Sequence, residues 1–160
     1  MENESNIIIR IFNIEDEDSL INLWRLCNLL TPWNDPLKDI RRKLAVDADL
    51  FLVGELNNRI IASVMGGYEG HRGWINYLAV HPDHQRKGYG RLMMQAAEER
   101  IKAKGCPKIN LQVRSSNQSV IQFYQRIGYK EDHVLSMGKR FTDDEAQADD
   151  RKQDSHFTQK

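Results

Sequence analysis

The sequence predicts an α/β protein: three layers, α-β-α, built on a mixed, mostly antiparallel central sheet, in the order β-α-α-β-β-β-α-β-α-β with room for one more closing strand. Three observations carry that prediction. Apolar residues recur at three- and four-residue spacing in four separate stretches, as amphipathic helices require. Between the second and third of these stretches lie three short apolar runs divided by turn residues, which reads as an antiparallel meander. Single apolar runs then flank the last helical stretch on either side.

Each element has its own local cause. Ile7 to Phe12 is β-branched and aromatic, and the acidic run Glu15 to Asp18 behind it suits the positive end of a helix. That helix carries Leu20, Leu23, Trp24, Cys27 and Leu30 on one face and is broken at Thr31-Pro32-Trp33-Asn34. Asp35-Pro36 supplies a cap and a proline at the first helical position, so a second helix runs to about Ala48 with Ile40 and Leu44 inward and Arg41-Arg42-Lys43 solvated. Leu50 to Glu55, Ile60 to Tyr68 and Trp74 to Val80 form the meander, turning at Asn57-Asn58 and at Gly70-His71-Arg72-Gly73. Leu92, Met93, Ala96, Ala97 and Ile101 mark a helix ending at Gly105. Lys108 to Val113 is a strand, Ser119 to Ile127 a helix closed by Gly128, and Tyr129 to Arg140 holds one or two final strands.

The chain has 160 residues, 40% of them hydrophobic, which suits one domain with a core that needs no staples. Its longest apolar runs, Leu50–Val53 and Tyr77–Val80, are four residues, far short of the ~20 that cross a bilayer, and the acidic N-terminus lacks a signal-peptide pattern. No membrane association and a cytoplasmic location are therefore expected. Cys27 and Cys106 form no C-x-x-C pair and are read as reduced thiols, and no histidine or acidic spacing suggests a metal. The domain is expected to span 1–142. Residues 143–160, with six acidic and three basic groups, form an acidic, solvated tail. The balance of 23 basic against 23 acidic residues hides a domain with three positive charges in excess, and argues against a nucleic-acid surface.

Chemistry concentrates after the third meander strand. Gln85-Arg86-Lys87-Gly88-Tyr89-Gly90-Arg91 is a basic loop with two glycines and no carboxylate, running straight into a helix. Unpaired amides at a helix start, a favourable dipole and three cations make an anion site, and phosphate oxygens are its natural occupant. The loop lacks the G-K-[ST] of a Walker site and the third glycine of a dinucleotide fingerprint.

Gln85-Arg86-Lys87-Gly88-Tyr89-Gly90, in the context Leu78-Ala79-Val80-His81-Pro82, resembles the [QR]-x-x-G-x-[GA] acyl-CoA loop of the GCN5-related N-acetyltransferase (GNAT) superfamily. Asn117 with Phe123-Tyr124 and Gly128-Tyr129 resembles that family's second cofactor segment at matching spacing. Within the family, Trp33-Asn34-Asp35-Pro36, Met65 to Gly73, Gly105 to Ile109 and Gly138-Lys139-Arg140 are similar to the small bacterial YpeA-type acetyltransferases. The resemblance implies a GNAT-like fold and an acetyl-CoA-dependent transfer to a primary amine, by direct attack in a ternary complex and without a metal. The acceptor is a small amine, a peptide, or a protein N-terminus or lysine. A non-catalytic acyl-CoA-binding sensor of the same fold is the alternative, and monomer and homodimer both stay open.

The same resemblance implies roles. Amides of Arg86, Lys87, Gly88, Tyr89, Gly90 and Arg91 hold the pyrophosphate, with Gln85 opening the loop. Leu78, Ala79 and Val80 pair with pantetheine, an amide near Val80 polarises the thioester carbonyl, and Asn117 contacts the cofactor. Tyr124 protonates the departing thiolate; its place in the stripe Val120, Tyr124, Ile127 equally suits a core aromatic. Several family members carry a glutamate early in the central strand as base, and here Trp74-Ile75-Asn76 has none. Glu69 is the substitute, and Trp33, Asn34, Tyr68 and Glu69 are assigned to the acceptor cleft.

Overall fold

A computed structural model describes residues 6–144. Five strands, β1 (Ile8–Ile11), β2 (Phe51–Leu56), β3 (Arg59–Tyr68), β4 (Gly73–Val80) and β5 (Ile109–Leu111), lie in sequence order in one sheet. Neighbours pair antiparallel except β4 and β5, which are parallel. Helices α1 (Glu17–Leu26) and α2 (Pro36–Leu44) cover one face, and α3 (Tyr89–Ala103) and α4 (Gln118–Arg126) the other.

Both faces are therefore buried, which is why β2 reads as a continuous apolar run. Successive residues of β2 serve opposite cores: Leu52 packs with Val64, Ile75, Met93, Ala97 and Ile101, whereas Phe51 and Val53 pack with Leu20, Leu23, Trp24 and Ile40. Asp35 caps α2 as its sequence requires, its Oδ1 accepting from the amides of Leu37 at 3.0 Å and Lys38 at 3.5 Å. Asn57 and Asn58 take positive φ of 50° and 60°, the mirror-image turn that matches strand twist in a tight hairpin.

Three expectations need correction. Among the described residues no strand follows α4: Tyr129–Arg140 runs as irregular chain, with Val134, Leu135 and Met137 at 77%, 92% and 92% exposure. Side chains hold it beside β5, Lys108 and Asn110 donating to Asp132 at 2.6 and 2.9 Å and Gln112 donating to Ser136 Oγ. Adjacent Val134 and Leu135 break the two-residue period that a half-buried strand needs, so the segment offers no single apolar face to the sheet. α2 ends at Leu44 rather than near Ala48, its last turn closing on Ala45. In α3, Met94 joins Met93, Ala97 and Ile101 in the core while Leu92 is left outside at 42% exposure.

The tail expected from 143 lies, from 145 onward, outside the described residues. Asp144, assigned to it, is buried: its carboxylate accepts from the Asp35 amide at 3.0 Å and from Arg42 Nη2 at 3.0 Å. Arg42 first, then the Asp35 amide, hold the Asp144 carboxyl down at about 2.

Candidate active site

The site is organised by a bulge in β4. Ser63 pairs with Ala79 but Met65 pairs with Asn76, so Tyr77 and Leu78 together oppose Val64. The extra residue puts Asn76 and Tyr77 on the same face, and Tyr77 sits at φ 49°, left-handed space that an aromatic residue enters at a cost of about 1–3 kcal/mol. Three elements hold it there. Its ring stacks on Trp24 of α1 with centroids 4.0 Å apart, its carbonyl accepts from Ser63 Oγ at 2.9 Å, and its hydroxyl donates to Asp39 Oδ2 of α2 at 2.7 Å. Trp24 Nε1 donates to the same Ser63 Oγ at 2.9 Å, so one fully buried hydroxyl ties α1, β3 and the bulge together. Burial, then the Asp39 hydrogen bond, push the Tyr77 phenol far above its ordinary range, and it stays a donor. Ser63→Ala leaves the Trp24 N–H and the Tyr77 carbonyl unpaired in the core. Chemical denaturation is expected to show a loss of roughly 2–4 kcal/mol; a loss below ~0.5 kcal/mol removes this hydroxyl from the account of the bulge.

Beyond the bulge the sheet opens. β4 runs to Val80, yet β5 pairs only with Gly73–Ile75, so among the described residues no strand pairs with the far half of β4 on that side. His81 donates to Ile61 of β3, and alternation along the ladder then turns the backbone groups of Leu78 and Val80 to the open edge. The Val80 carbonyl accepts from Gln85 Nε2 at 3.0 Å and Cys27 Sγ at 3.2 Å, which ties the basic loop to the strand end. Burial raises the Cys27 thiol, so it is not a poised nucleophile.

Gln85 to Gly88 is exposed, with Arg86 at φ 60° and Gly88 at φ 85°. Gly88 is the N-cap of α3 without a side-chain cap, and the first helical hydrogen bond is Leu92 N to Gly88 O at 3.1 Å. The amides of Tyr89, Gly90 and Arg91 therefore have no helical partner, beside the cations Arg86, Lys87 and Arg91. Open space surrounds the Cβ position of Gly88, whereas a Cβ on Gly90 would stand 3.2 Å from Phe123 Cζ. That contact packs the second motif against the first.

Asn117 caps α4, its Oδ1 accepting from the Val120 amide at 3.4 Å. Tyr124 lies between Phe123 and Tyr129, ring centroids 5.1 and 5.6 Å away, and burial alone lifts its phenol to about 12. Tyr129 donates to Glu98 Oε1 at 2.8 Å and is a packing residue.

A cleft of about 430 Å³ opens beside the bulge on the α1–α2 side. Leu29 and Met65 give it apolar walls; Thr31, Asn34, Asn76, Tyr77 and Asp39 supply its polar groups. Of the residues assigned to the acceptor cleft from sequence, only Asn34 lines it. Trp33 is next to it, 42% exposed, with its carbonyl held by Arg140 Nη1 at 3.0 Å. Tyr68 and Glu69 lie at the β3–β4 hairpin, where Tyr68 OH donates to the Gly70 carbonyl and Glu69 Oε1 accepts from the amides of His71 and Arg72. Sequence reasoning missed Asp39, Asn76 and Tyr77. The available signal was Asp39's place beside the inward Ile40; the bulge leaves no mark in the residue pattern.

A family model described as the acetyltransferase (GNAT) family matches residues 15–129. Acetyltransferase SG1711 of Sodalis glossinidius is 48% identical over 138 residues, covering 86% of this chain and 97% of that protein. Acetyltransferase ECA0875 of Pectobacterium atrosepticum is 48% identical over 85% of this chain and 96% of its own length. Among solved structures, the aminoglycoside acetyltransferase AAC(6')-Iy in complex with a CoA-containing bisubstrate analogue superposes with a TM-score of 0.70 at 18% identity over 86% of this chain and 100% of that one. The ribosomal-protein-S18-alanine N-acetyltransferase of Escherichia coli gives 0.67 at 19% identity, over 79% of each chain. At those identities the structures speak for the fold, and no helix among the described residues is long and apolar enough to cross a membrane. With 48% identity over 85–86% of this chain and nearly the full length of two acetyltransferases, and with the family model matching residues 15–129, the chain belongs to the acetyltransferase (GNAT) family and is an acyltransferase.

Proposed function

We propose that this enzyme uses acetyl-CoA to acetylate a primary amine by direct attack, with both substrates bound at once. The observation that carries the reading is the open edge of β4 at Leu78 and Val80, which ends at the basic loop and borders the cleft. An extended amide-bearing chain such as pantetheine completes that edge with backbone hydrogen bonds, as an added strand does. The pyrophosphate is assigned to the amides from Arg86 to Arg91 at the start of α3, with the Arg86 and Gly88 conformations turning successive N–H groups inward. Asn117 is assigned to the cofactor's second contact. At the thioester, an amide near Val80 stabilises the developing oxyanion. The amine loses a proton to solvent water, its lone pair forms the C–N bond, and the C–S bond breaks. Tyr124 gives its proton to the thiolate and recovers one from the nitrogen through water. Glu69, already engaged by two turn amides off the cleft, is not needed as base.

Calorimetry with acetyl-CoA, followed by mass spectrometry of an amine and peptide panel, tests the reading. Acetyl-CoA binding together with a 42 Da gain on at least one amine, the mass of C2H2O, is the expected result. Binding without transfer to any member points to the sensor alternative, and no binding overturns the assignment.

A further inference from the structure

The sequence places no carboxylate in β4. The structure brings one to the cleft beside it from another element. Asp39 of α2 is the sole carboxylate among the lining residues. Both its oxygens are engaged: Oδ2 accepts from the OH of Tyr77, which lines the same cleft, at 2.7 Å, and Oδ1 from Arg42 Nη1 at 3.0 Å. A carboxylate has about four acceptor sites, so two donors fix its orientation and leave it capacity toward the cleft. Arg42 is itself shared with Asp144, which limits how far it neutralises Asp39.

A second observation points to a ligand with donors to give. Thr31 lines the same cleft, and its Oγ1 is buried without a hydrogen-bond partner among the described residues. Burying such a hydroxyl unpaired is unfavourable by an amount a bound donor would recover. The bulge adds Asn76, whose side-chain carbonyl is a third acceptor lining the space. An alkylammonium carries three N–H donors and an apolar stem. Three acceptors, one of them charged, match its head, and Leu29 and Met65 match its stem.

We propose that Asp39 is the residue that anchors the acceptor, with Thr31 and Asn76 completing its hydrogen bonds, so that the acceptor class is a cationic primary amine on an apolar stem. This rests on the acetyltransferase reading of the same cleft and adds to it the residue that selects the substrate. Asp39 binds and orients; proton removal stays with water as above.

The test uses the full chain saturated with CoA and titrated calorimetrically with four probes: spermidine, kanamycin, a lysine-containing peptide with a blocked N-terminus, and a peptide with a free N-terminal alanine. Spermidine or the lysine peptide, whose ammonium sits on an alkyl stem, is expected to bind, and binding of the other two alone overturns the apolar-stem class. Acetylating that probe at its amine, or replacing Asp39 by Asn, is expected to weaken binding by roughly ten- to a hundredfold, the range of a charge-assisted hydrogen bond. Thr31→Val is expected to weaken it by a smaller factor. Acetyl-CoA affinity is expected to be unchanged in both variants, which a general loss of structure would not leave intact. Binding of no probe to the wild-type protein, equal binding of free and acetylated probe, or equal binding by wild type and Asp39→Asn each overturns the anchor. The comparison of free with acetylated probe needs no variant, so it stands even if Asp39→Asn fails to fold. Failure of the acetyltransferase reading registers separately, as absence of acetyl-CoA binding in the first titration.

Discussion

Gly88→Glu is expected to lower acetyl-CoA affinity at least a hundredfold while the chain stays folded. Gly88 holds φ 85° at the start of α3, and no atom lies within 4 Å of its Cβ position. The new side chain therefore meets no steric obstacle, and the penalty to folding is the ~1–2 kcal/mol of a left-handed non-glycine residue. Its effect on the ligand is far larger. The carboxylate stands at the positive end of the helix, among the amides and cations assigned to the pyrophosphate, and takes the place of the ligand's charge. A loss of roughly 3 kcal/mol, a little over a hundredfold, follows from one like charge brought close to another at low effective dielectric. Gly88→Asn separates strain from charge, since asparagine tolerates positive φ and is neutral; it is expected to lose less than tenfold. Calorimetry on both, with thermal melts as the folding check, decides the matter. Unchanged affinity in the Glu variant takes the loop out of the site.

Tyr124→Phe is expected to reduce kcat by two to three orders of magnitude and to leave the acetyl-CoA dissociation constant within a factor of three. General acid catalysis by a positioned side chain is typically worth 10²–10⁴-fold. Removing one hydroxyl from a ring packed between Phe123 and Tyr129 changes little in the fold. The pH dependence has a definite sign. Burial lifts the Tyr124 phenol to about 12, so the proton-bearing form persists far above neutrality. Between pH 6 and 10 the wild-type enzyme is expected to show no alkaline decline that Tyr124→Phe abolishes. A thiolate whose parent thiol lies near ~8.5 is a weaker base than this phenolate, and the hydroxyl serves only as the bond breaks, relayed with the nitrogen's proton. Steady-state rates with any acceptor found in the amine panel supply the measurement. An undiminished kcat returns Tyr124 to the core.

How far these residues were legible depends on the range of the physics that places them. The Asp35-Pro36 cap, the Asn57-Asn58 turn and the Gln85 to Gly90 loop act within a few residues of themselves, and each stands in the structure where its sequence puts it. The buried alternation of β2 and the inward face of α3 were equally readable, because a two- or 3.6-residue period survives in the string of letters. Leu92 and Met94 traded places only because either lies beside the apolar stripe, and the neighbouring sheet decides its width.

The closing strand shows the opposite case. Tyr129–Arg140 carries a few apolar residues between charged ones, but Val134 and Leu135 stand side by side, so no alternating face forms and Val134, Leu135 and Met137 stay exposed. The bulge is more telling still. Nothing in Trp74-Ile75-Asn76-Tyr77-Leu78 says that one residue slips, because the slip is set by what meets Tyr77 from α1, α2 and β3.

By itself, then, the sequence determined the three-layer class, the order of its first nine elements and the place of the basic glycine loop at the start of α3, since helix periodicity, capping and turn chemistry are local. The tertiary structure alone decided the splay of β4 from β5, the left-handed Tyr77, the burial of Asp144 and the arrival of Asp39 in the cleft. Tyr77 and Asp39 lie 38 residues apart, and Arg42 and Asp144 lie 102 apart. Contacts of that separation come from packing three layers together, and they carry no period that a chain read in order can reveal.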